Sequence, residues 1–297
     1  MSVQELSKEI LSRIPTLPAQ LALGARFIVD HPDAVVVYSM REISKKVGMA
    51  PASLVRLARA LGYSDWSAMR EAYVQRVQST SLYSEKADSL VKKKGVSGVV
   101  QTVIRAQANT LHRAASEKMA EAVQDSAKIL NRAPRLFIAA FMSCRAPGLV
   151  FAYICRLFRS NVHLLGAEGT SLAVDLADIR STDAILAITF FPYAREIRAV
   201  AEAVDKSSAS LVCITDSLVT PISQRAKGAL IVSAETPSFF PSLTPALAMA
   251  EALAAAMLAQ GGDSAVARLR SMERVLHDSG SYDTTTTKPR ASRRRAI

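Results

Sequence analysis

The spacing of apolar residues changes along the chain and divides the sequence into three parts and a tail. Residues 1–80 have helical periodicity, which predicts a bundle of short helices. Residues 81–125 are polar at first and then read as a helix, so we expect a helical connector. Residues 126–262 alternate between apolar runs and helical stretches, and residues 263–297 form a polar, basic tail whose low-complexity end is predicted to be disordered.

The apolar runs of the third part predict a sheet. Strands that are apolar throughout are typical of a parallel sheet that helices cover on both faces. We therefore predict a doubly wound, five-stranded parallel sheet with flanking helices, which ends in a helix over Leu243–Ala259. The predicted strands are Arg135–Met142, Asn161–Leu165, Asp183–Thr189, Leu211–Thr215 and Ala229–Ser233.

A helix, a turn and a second helix are predicted between Tyr38 and Tyr63. Ser39 and Glu42 have the spacing of a capping box, which begins a helix. Gly48 tolerates a positive φ and predicts the end of that helix. Pro51 is well placed in the first turn of the next helix.

The second helix of this motif has an apolar face and a basic face. Leu54, Leu57, Ala58 and Leu61 recur at core spacing. The opposite face, with Ala52, Ser53, Arg56 and Arg59, has the small, hydroxyl and basic side chains that suit a major groove. Ser53 and Arg56 are predicted to contact bases or phosphates, and Arg41, Lys45 and Lys46 the DNA backbone. Tyr63, Trp66, Met69 and Tyr73 are predicted to be bundle core rather than a stacking platform.

The distribution of positive charge along the chain supports this interpretation. The formal net charge is +11. Between residues 36 and 64 five basic side chains accompany a single acidic one, Glu42. Such a field favours an anionic polymer. The alternative is a small helical bundle with a solvated basic face.

Other features exclude several classes of protein. No run of about 18 uncharged apolar residues occurs, and the N-terminus has no apolar signal core, so we expect a cytoplasmic protein without membrane contact. The three cysteines lie apart in apolar stretches and are predicted to be buried thiols. The four histidines make no metal-binding pattern, so neither a metal nor another cofactor is predicted.

The N-terminal motif resembles the helix-turn-helix of the RpiR/MurR family of bacterial transcription regulators. The similarity covers about residues 4–77 and is carried by "LPAQLALGARFIVDHP", "REISKKVGMAPASLVRLARALGY" and "SDWSAMREAYVQ". In that family the position of Ser53 is usually Thr, and that of Arg56 is Arg. A Leu-Gly-aromatic sequence like Leu61–Tyr63 follows.

Residues 126–262 resemble the sugar isomerase (SIS) domain that follows the helix-turn-helix in this family. The resemblance implies a phosphosugar site at the carboxyl edge of the sheet, where a first loop usually reads Gly-x-Gly-x-Ser. The equivalent stretch here is Ala139–Ser143, in which Ser143 is retained and both glycines are absent. Arg145 follows and either supplies positive charge or points to solvent.

The second phosphate loop of an SIS domain usually reads Ser-x-Ser-Gly-x-Thr, and Thr189–Ala194 stands in its place. Only the hydroxyl of Thr189 is retained, and Pro192 replaces the glycine, so the loop is not expected to hold phosphate in the usual way. Some members of the family carry such an aromatic-Pro-Tyr loop. The prediction is a modified effector pocket that uses Tyr193; alternatively, the aromatic rings pack under the next helix or against another subunit.

Ser242 lies close to the start of the last helix, where it either completes an anion site or caps the helix. Together the two resemblances imply a regulator and not an enzyme, because no pair of histidine and glutamate stands near the two loops for sugar isomerisation. The expected function is repression of carbohydrate or related catabolic genes under the control of a sugar phosphate or sugar-derived ligand. The expected partners are a palindromic DNA operator and further copies of the chain, as a homodimer or homotetramer. The alternatives are a sugar-phosphate isomerase and a non-specific nucleic-acid-binding protein.

Overall fold

The structure is a computed structural model that describes most of the chain. It describes residues 9–30, 35, 39–79, 83–92, 96–167, 169, 171–217, 220 and 222–282. Residues 283–297, which include the end of the tail that the sequence predicts to be disordered, lie outside the described residues.

The N-terminal part is a helical bundle. A short 3-10 helix, Ile14–Thr16, precedes four helices: α1 (Ala19–Asp30), α2 (Met40–Val47), α3 (Pro51–Ala60) and α4 (Trp66–Ser79). They enclose one apolar core, which confirms that the aromatic residues of α4 are core residues. Its fully or nearly fully buried members include Ile28, Ile43, Leu54, Leu57, Ala58, Leu61, Trp66, Met69 and Tyr73.

The predicted helix-turn-helix is present. The Ser39 side chain accepts from the Glu42 amide while the Glu42 carboxylate accepts from the Ser39 amide, which completes the capping box. Gly48 ends α2 with φ of 71°, a conformation that favours glycine. Pro51 is the first residue of α3.

Three helices connect the bundle to the sheet. They are α5 (Ser84–Lys92), α6 (Val96–Ala114) and α7 (Glu117–Arg132). The last of them packs against the sheet through Ala127 and Leu130, which belong to the main core of the α/β domain. The boundary predicted at residue 125 therefore falls inside a helix that is part of this domain.

The sheet has five parallel strands in the order β2-β1-β3-β4-β5. This confirms the predicted number and direction of the strands, whose observed bounds differ from the predicted ones by only a few residues. The strands are β1 (Leu136–Ala140), β2 (Val162–Leu164), β3 (Ala184–Ile188), β4 (Ser210–Thr215) and β5 (Gly228–Ile231).

Helices cover both faces of the sheet, as the wholly apolar strands predict. One face packs against α7, α8 (Arg145–Phe158) and the long C-terminal helix α11 (Thr244–Asp278). The other packs against α10 (Glu196–Ser207), with the short α9 (Leu172–Ala177) beside it. β1 and β3 are buried at every position, because both of their faces are covered.

The last helix differs from the prediction. The sequence predicts its end near Ala259 and a polar tail from residue 263, yet the helix continues to Asp278. A kink at Gly262, where φ is 58° and ψ is −147°, interrupts the regular backbone at the predicted stop. The chain resumes the helix after it and buries Ala265. No helix among the described residues is long and apolar enough to cross a lipid bilayer.

Candidate effector site and nucleic-acid interface

The loops that follow β1, β3 and β4 meet at the carboxyl edge of the sheet, because these three strands are neighbours and parallel. Cys144, in the turn after β1, hydrogen bonds with the backbone of Phe190 after β3, and it lies close to Asp216 after β4. The predicted position of the site is thus the place where these loops converge.

Asp216 organises the loop after β3. The Phe191 amide donates to one of its carboxylate oxygens at 3.0 Å, and the Tyr193 hydroxyl donates to the other at 2.9 Å. The Thr215 hydroxyl lies 3.4 Å from the second oxygen. Burial raises the pKa of Asp216 above its ordinary value, although these donors partly oppose the shift.

A cavity of about 480 Å³ opens beside this carboxylate. Mostly aromatic and apolar side chains line the cavity, together with two carboxylates and one ammonium group. The connector supplies Tyr83, directly before helix α5, and Lys86 within it, so the cavity lies between the α/β domain and the segment that leads from the bundle. The lining residues that matter here are Tyr83, Lys86, Phe191, Tyr193, Asp216, Glu235 and Phe239.

The aromatic rings form two walls. Tyr83 lies against Phe240 with ring centroids 4.9 Å apart, and Phe240 is 6.3 Å from Phe239. On the other side Phe191 and Tyr193 meet edge to face at 5.9 Å. Rings in mutual contact hold their faces in fixed directions, which suits the recognition of a flat or ring-shaped ligand.

Of the five predicted effector residues, Tyr193 alone lines this cavity. Ser143 lies half-buried in the turn after β1, next to Cys144. Arg145 follows neither predicted alternative. Its guanidinium donates to the carbonyl oxygens of Leu165 at 2.7 Å and Gly166 at 2.6 Å, so it ties the ends of two strands together.

Thr189 and Ser242 are buried rather than presented to a ligand. Thr189 is 2% exposed, and its amide donates to the Ile214 carbonyl as a continuation of the sheet. Ser242 is 7% exposed, and its hydroxyl accepts from the Thr244 amide at the start of α11. Leu243, rather than Ser242, is the N-cap residue of α11, and no side chain caps this helix, so neither alternative predicted for Ser242 is confirmed.

Sequence reasoning missed several cavity residues. Asp216 had a usable signal, because Thr215, Asp216 and Ser217 are polar residues directly after a buried strand, at the edge where ligands collect. Tyr83 and Lys86 gave no such signal. They lie in the connector, more than 100 residues from the loops, and only the packing of α5 brings them to the cavity.

The basic surface of the helix-turn-helix is largely as predicted. Arg41, Lys45, Lys46, Ala52, Arg56 and Arg59 are all exposed. Ser53 is the exception: the predicted outward position is wrong, since its side chain is buried and 7% exposed. Its hydroxyl accepts from Arg56 Nη2 at 3.1 Å, so Ser53 orients the arginine instead of facing outward itself.

The cysteines are free and buried, which confirms the predicted thiols. Burial raises the pKa of Cys144 to about 11 and that of Cys155 and Cys213 to about 12. Such thiols are chemically inert at neutral pH. Within the described part of the chain, no cluster of His, Cys, Asp and Glu has the geometry to hold a metal ion.

Comparison with known proteins agrees with this architecture. The SIS domain family model matches residues 129–256. An uncharacterized HTH-type transcriptional regulator from Caldanaerobacter subterraneus subsp. tengcongensis is 21% identical over 218 residues, which cover 72% of this chain and 75% of the relative.

Two solved structures share the fold. The sugar isomerase domain of the RpiR transcription factor from Sphaerobacter thermophilus has a TM-score of 0.54 and 20% identity, over 59% of this chain and 97% of that one. The Vibrio vulnificus NanR protein complexed with ManNAc-6P has a TM-score of 0.60 and 17% identity, over 93% of this chain and 100% of that one.

The α/β domain is therefore an SIS domain, attached to an N-terminal helix-turn-helix. This order of domains agrees with the resemblance of the sequence to the RpiR-type transcription regulators.

Proposed function

We propose that the protein is a cytoplasmic DNA-binding transcription regulator, a repressor of carbohydrate or related catabolic genes, which a small sugar-derived metabolite controls. One observation carries the proposal: Tyr83 and Lys86 of the connector line the cavity in the SIS domain, and the connector follows the DNA-binding bundle along the chain. A ligand in the cavity contacts the segment that positions the bundle.

The surface of the bundle supports the DNA-binding part of the proposal. The exposed basic residues lie on α2 and α3, which are the two helices of the helix-turn-helix. In this motif the second helix enters the major groove. Arg56 is held by Ser53 at the exposed face of α3, where a guanidinium can make a bidentate contact with guanine.

A second contact supports communication between the two parts. Gln224, eight residues after Asp216 along the chain, donates from its side-chain amide to the Glu42 carboxylate at 2.9 Å. Glu42 belongs to the capping box of α2. The SIS domain thus contacts the DNA-binding bundle directly as well as through the connector. Binding changes DNA affinity to the extent that the ligand prefers one arrangement of these parts.

We propose that two or four subunits present paired recognition helices to a palindromic operator. Val96, Val100 and Ile104 support association of subunits, because they recur on one side of α6 and are exposed by 50% or more. The NanR relative, whose structure contains ManNAc-6P, supports a sugar-derived effector.

The cavity favours binding over catalysis. Isomerisation of a sugar requires a base that is free to take a proton from the substrate. Both carboxylate oxygens of Asp216 instead accept hydrogen bonds from the protein, and none of the described histidines lines the cavity, so Glu235, the other carboxylate there, has no histidine partner among the lining residues. We therefore propose that the SIS domain has no enzymatic activity in this chain.

The test is DNA binding by the full chain, measured by fluorescence anisotropy at several salt concentrations. The two probes are the DNA upstream of the protein's own gene and a shuffled duplex of equal length and composition. We expect tighter binding to the upstream DNA at every salt concentration, with a specificity ratio of about 10³ or more. Equal affinity for both duplexes would contradict a sequence-specific regulator. Turnover of glucose 6-phosphate or fructose 6-phosphate by the same preparation would contradict the absence of catalysis.

A further inference from the structure

The loop after β3 directs two of its hydrogen-bond donors to the protein itself rather than to a ligand anion. A phosphate loop holds its ligand with amide and hydroxyl groups. In the loop after β3, the Phe191 amide and the Tyr193 hydroxyl both donate to Asp216, and Pro192 has no amide hydrogen. The carboxylate of Asp216 thus occupies donors that a ligand phosphate would otherwise use.

The charges at the cavity also disfavour a phosphate. Asp216 and Glu235 are acidic, and Lys86 is the basic residue among the side chains that line the cavity. Lys86 is exposed on α5, whereas Asp216 is mostly buried. A phosphate placed against the loop would therefore meet a carboxylate in a setting where water screens the repulsion poorly.

The same arrangement suits a cation. Aromatic side chains attract ammonium groups through the negative faces of their rings, and a nearby carboxylate adds to the attraction. Tyr83, Phe191, Tyr193 and Phe239 provide aromatic rings at the cavity, and Asp216, directly after β4, lines it beside Phe191 and Tyr193. A bound ammonium group would also offset the cost of burying the Asp216 charge.

We propose that the effector is an unphosphorylated, amine-bearing compound of the size of one sugar ring, such as a free amino sugar. Its ammonium group binds at Asp216, and its apolar face lies on the aromatic walls. The cavity of about 480 Å³ accommodates a single ring. This inference rests on the proposed function only in taking the cavity as the effector site.

The experiment compares matched ligands by isothermal titration calorimetry with the full chain. The ligands are glucosamine, galactosamine and mannosamine, each beside its parent hexose and the corresponding hexose 6-phosphate. We expect at least one amine to bind about tenfold tighter than both counterparts. The variant Asp216→Asn, which has almost the same shape without the charge, is expected to lose this preference.

Asp205→Asn is the second variant, because it removes the same charge from an exposed residue of α10 that does not line the cavity. We expect it to keep the preference for the amine, which a general loss of structure would abolish. The inference is overturned if a hexose 6-phosphate binds tighter than its amine, if none of the amines binds, or if Asp216→Asn retains the full preference. Specific DNA binding without any response to amines would overturn this inference alone and leave the proposed DNA-binding function standing.

Discussion

The hydroxyl of Tyr193 donates a hydrogen bond of 2.9 Å to a carboxylate oxygen of Asp216, although the two residues are 23 positions apart. The bond joins the loop after β3 to the end of β4. It gives the unusual aromatic loop a defined partner, and it places an acidic group where the resemblance to other SIS domains implies a site for phosphate. The loop is therefore not a plain turn, because its backbone and a side chain are both bonded to the residue that follows β4.

Asp216 is expected to make stability depend on pH. Because its pKa is raised, the folded state holds the proton at pH values where the unfolded chain releases it. Its contribution to stability is therefore greatest at low pH and falls as the pH rises above about 4. We expect the melting temperature of Asp216→Asn, relative to that of the original chain, to increase between pH 4 and pH 7.

Asp205→Asn is the matched control, because it should show the opposite dependence. Arg225 hydrogen bonds to Asp205 and lowers its pKa, so that Asp205 stabilises the folded state above its ordinary pKa and loses this effect as the pH falls. If the two variants had parallel pH profiles in thermal melts, the environment assigned to Asp216 would be wrong.

Arg56→Ala is expected to weaken binding to upstream DNA by about tenfold or more, through the loss of a contact worth about 1–3 kcal/mol. Arg198→Ala removes an equally exposed arginine from α10, away from the basic surface, and is expected to change the affinity little. The measurement is anisotropy with specific and shuffled duplexes. An equal loss of affinity in both variants would show that net charge, rather than the recognition helix, governs binding.

Gly148→Ala is expected to destabilise the SIS domain by about 1–3 kcal/mol. A Cβ atom at Gly148 would lie 2.5 Å from the Cβ of Ala140, where α8 crosses β1. Gly98→Ala is the control, since its Cβ atom would meet nothing within 4 Å in helix α6. It is expected to leave stability unchanged or raise it by up to about 1 kcal/mol. Urea denaturation measures both, and equal effects would contradict the close packing at Gly148.

Arg135→Ala is expected to cost about 3 kcal/mol of stability, because it leaves a buried charge without its partner. Arg135 donates to both carboxylate oxygens of Asp183, which is 1% exposed, and to Asp178. Arg225→Ala, which breaks the exposed pair with Asp205, is expected to cost much less. The midpoints of urea denaturation measure the loss of stability in each variant. Similar losses would show that the ion pair at Asp183 stabilises the fold no more than the exposed pair does.

The elements themselves were predictable because their signals are local. Ser39, Glu42, Gly48 and Pro51 fix the ends of two helices through bonds and backbone angles within a few residues. The apolar runs indicate buried strands in the same way, because a strand without polar residues has to be covered on both faces. The end of α11 was not predicted, because packing of the helix beyond the kink at Gly262 overrides a local stop signal.

The site was predicted less well than the fold. Its location followed from strand order, and Tyr193 was identified correctly as a lining residue. Ser53 was assigned an outward role, and Arg145 was left between supplying charge and pointing to solvent, because a sequence does not show which carbonyl or hydroxyl a side chain will reach. The structure gives both residues partners within the protein.

The sequence by itself determined the order of the two domains, the parallel sheet and the loss of the usual phosphate loop, because each depends on the spacing or identity of neighbouring residues. Only the tertiary structure decided what replaced that loop. Asp216, Tyr193 and the connector residue Tyr83 come from three separate segments. The proximity of these residues depends on how β4 and the connector pack together. Contacts between distant segments produce no periodic pattern in a single sequence.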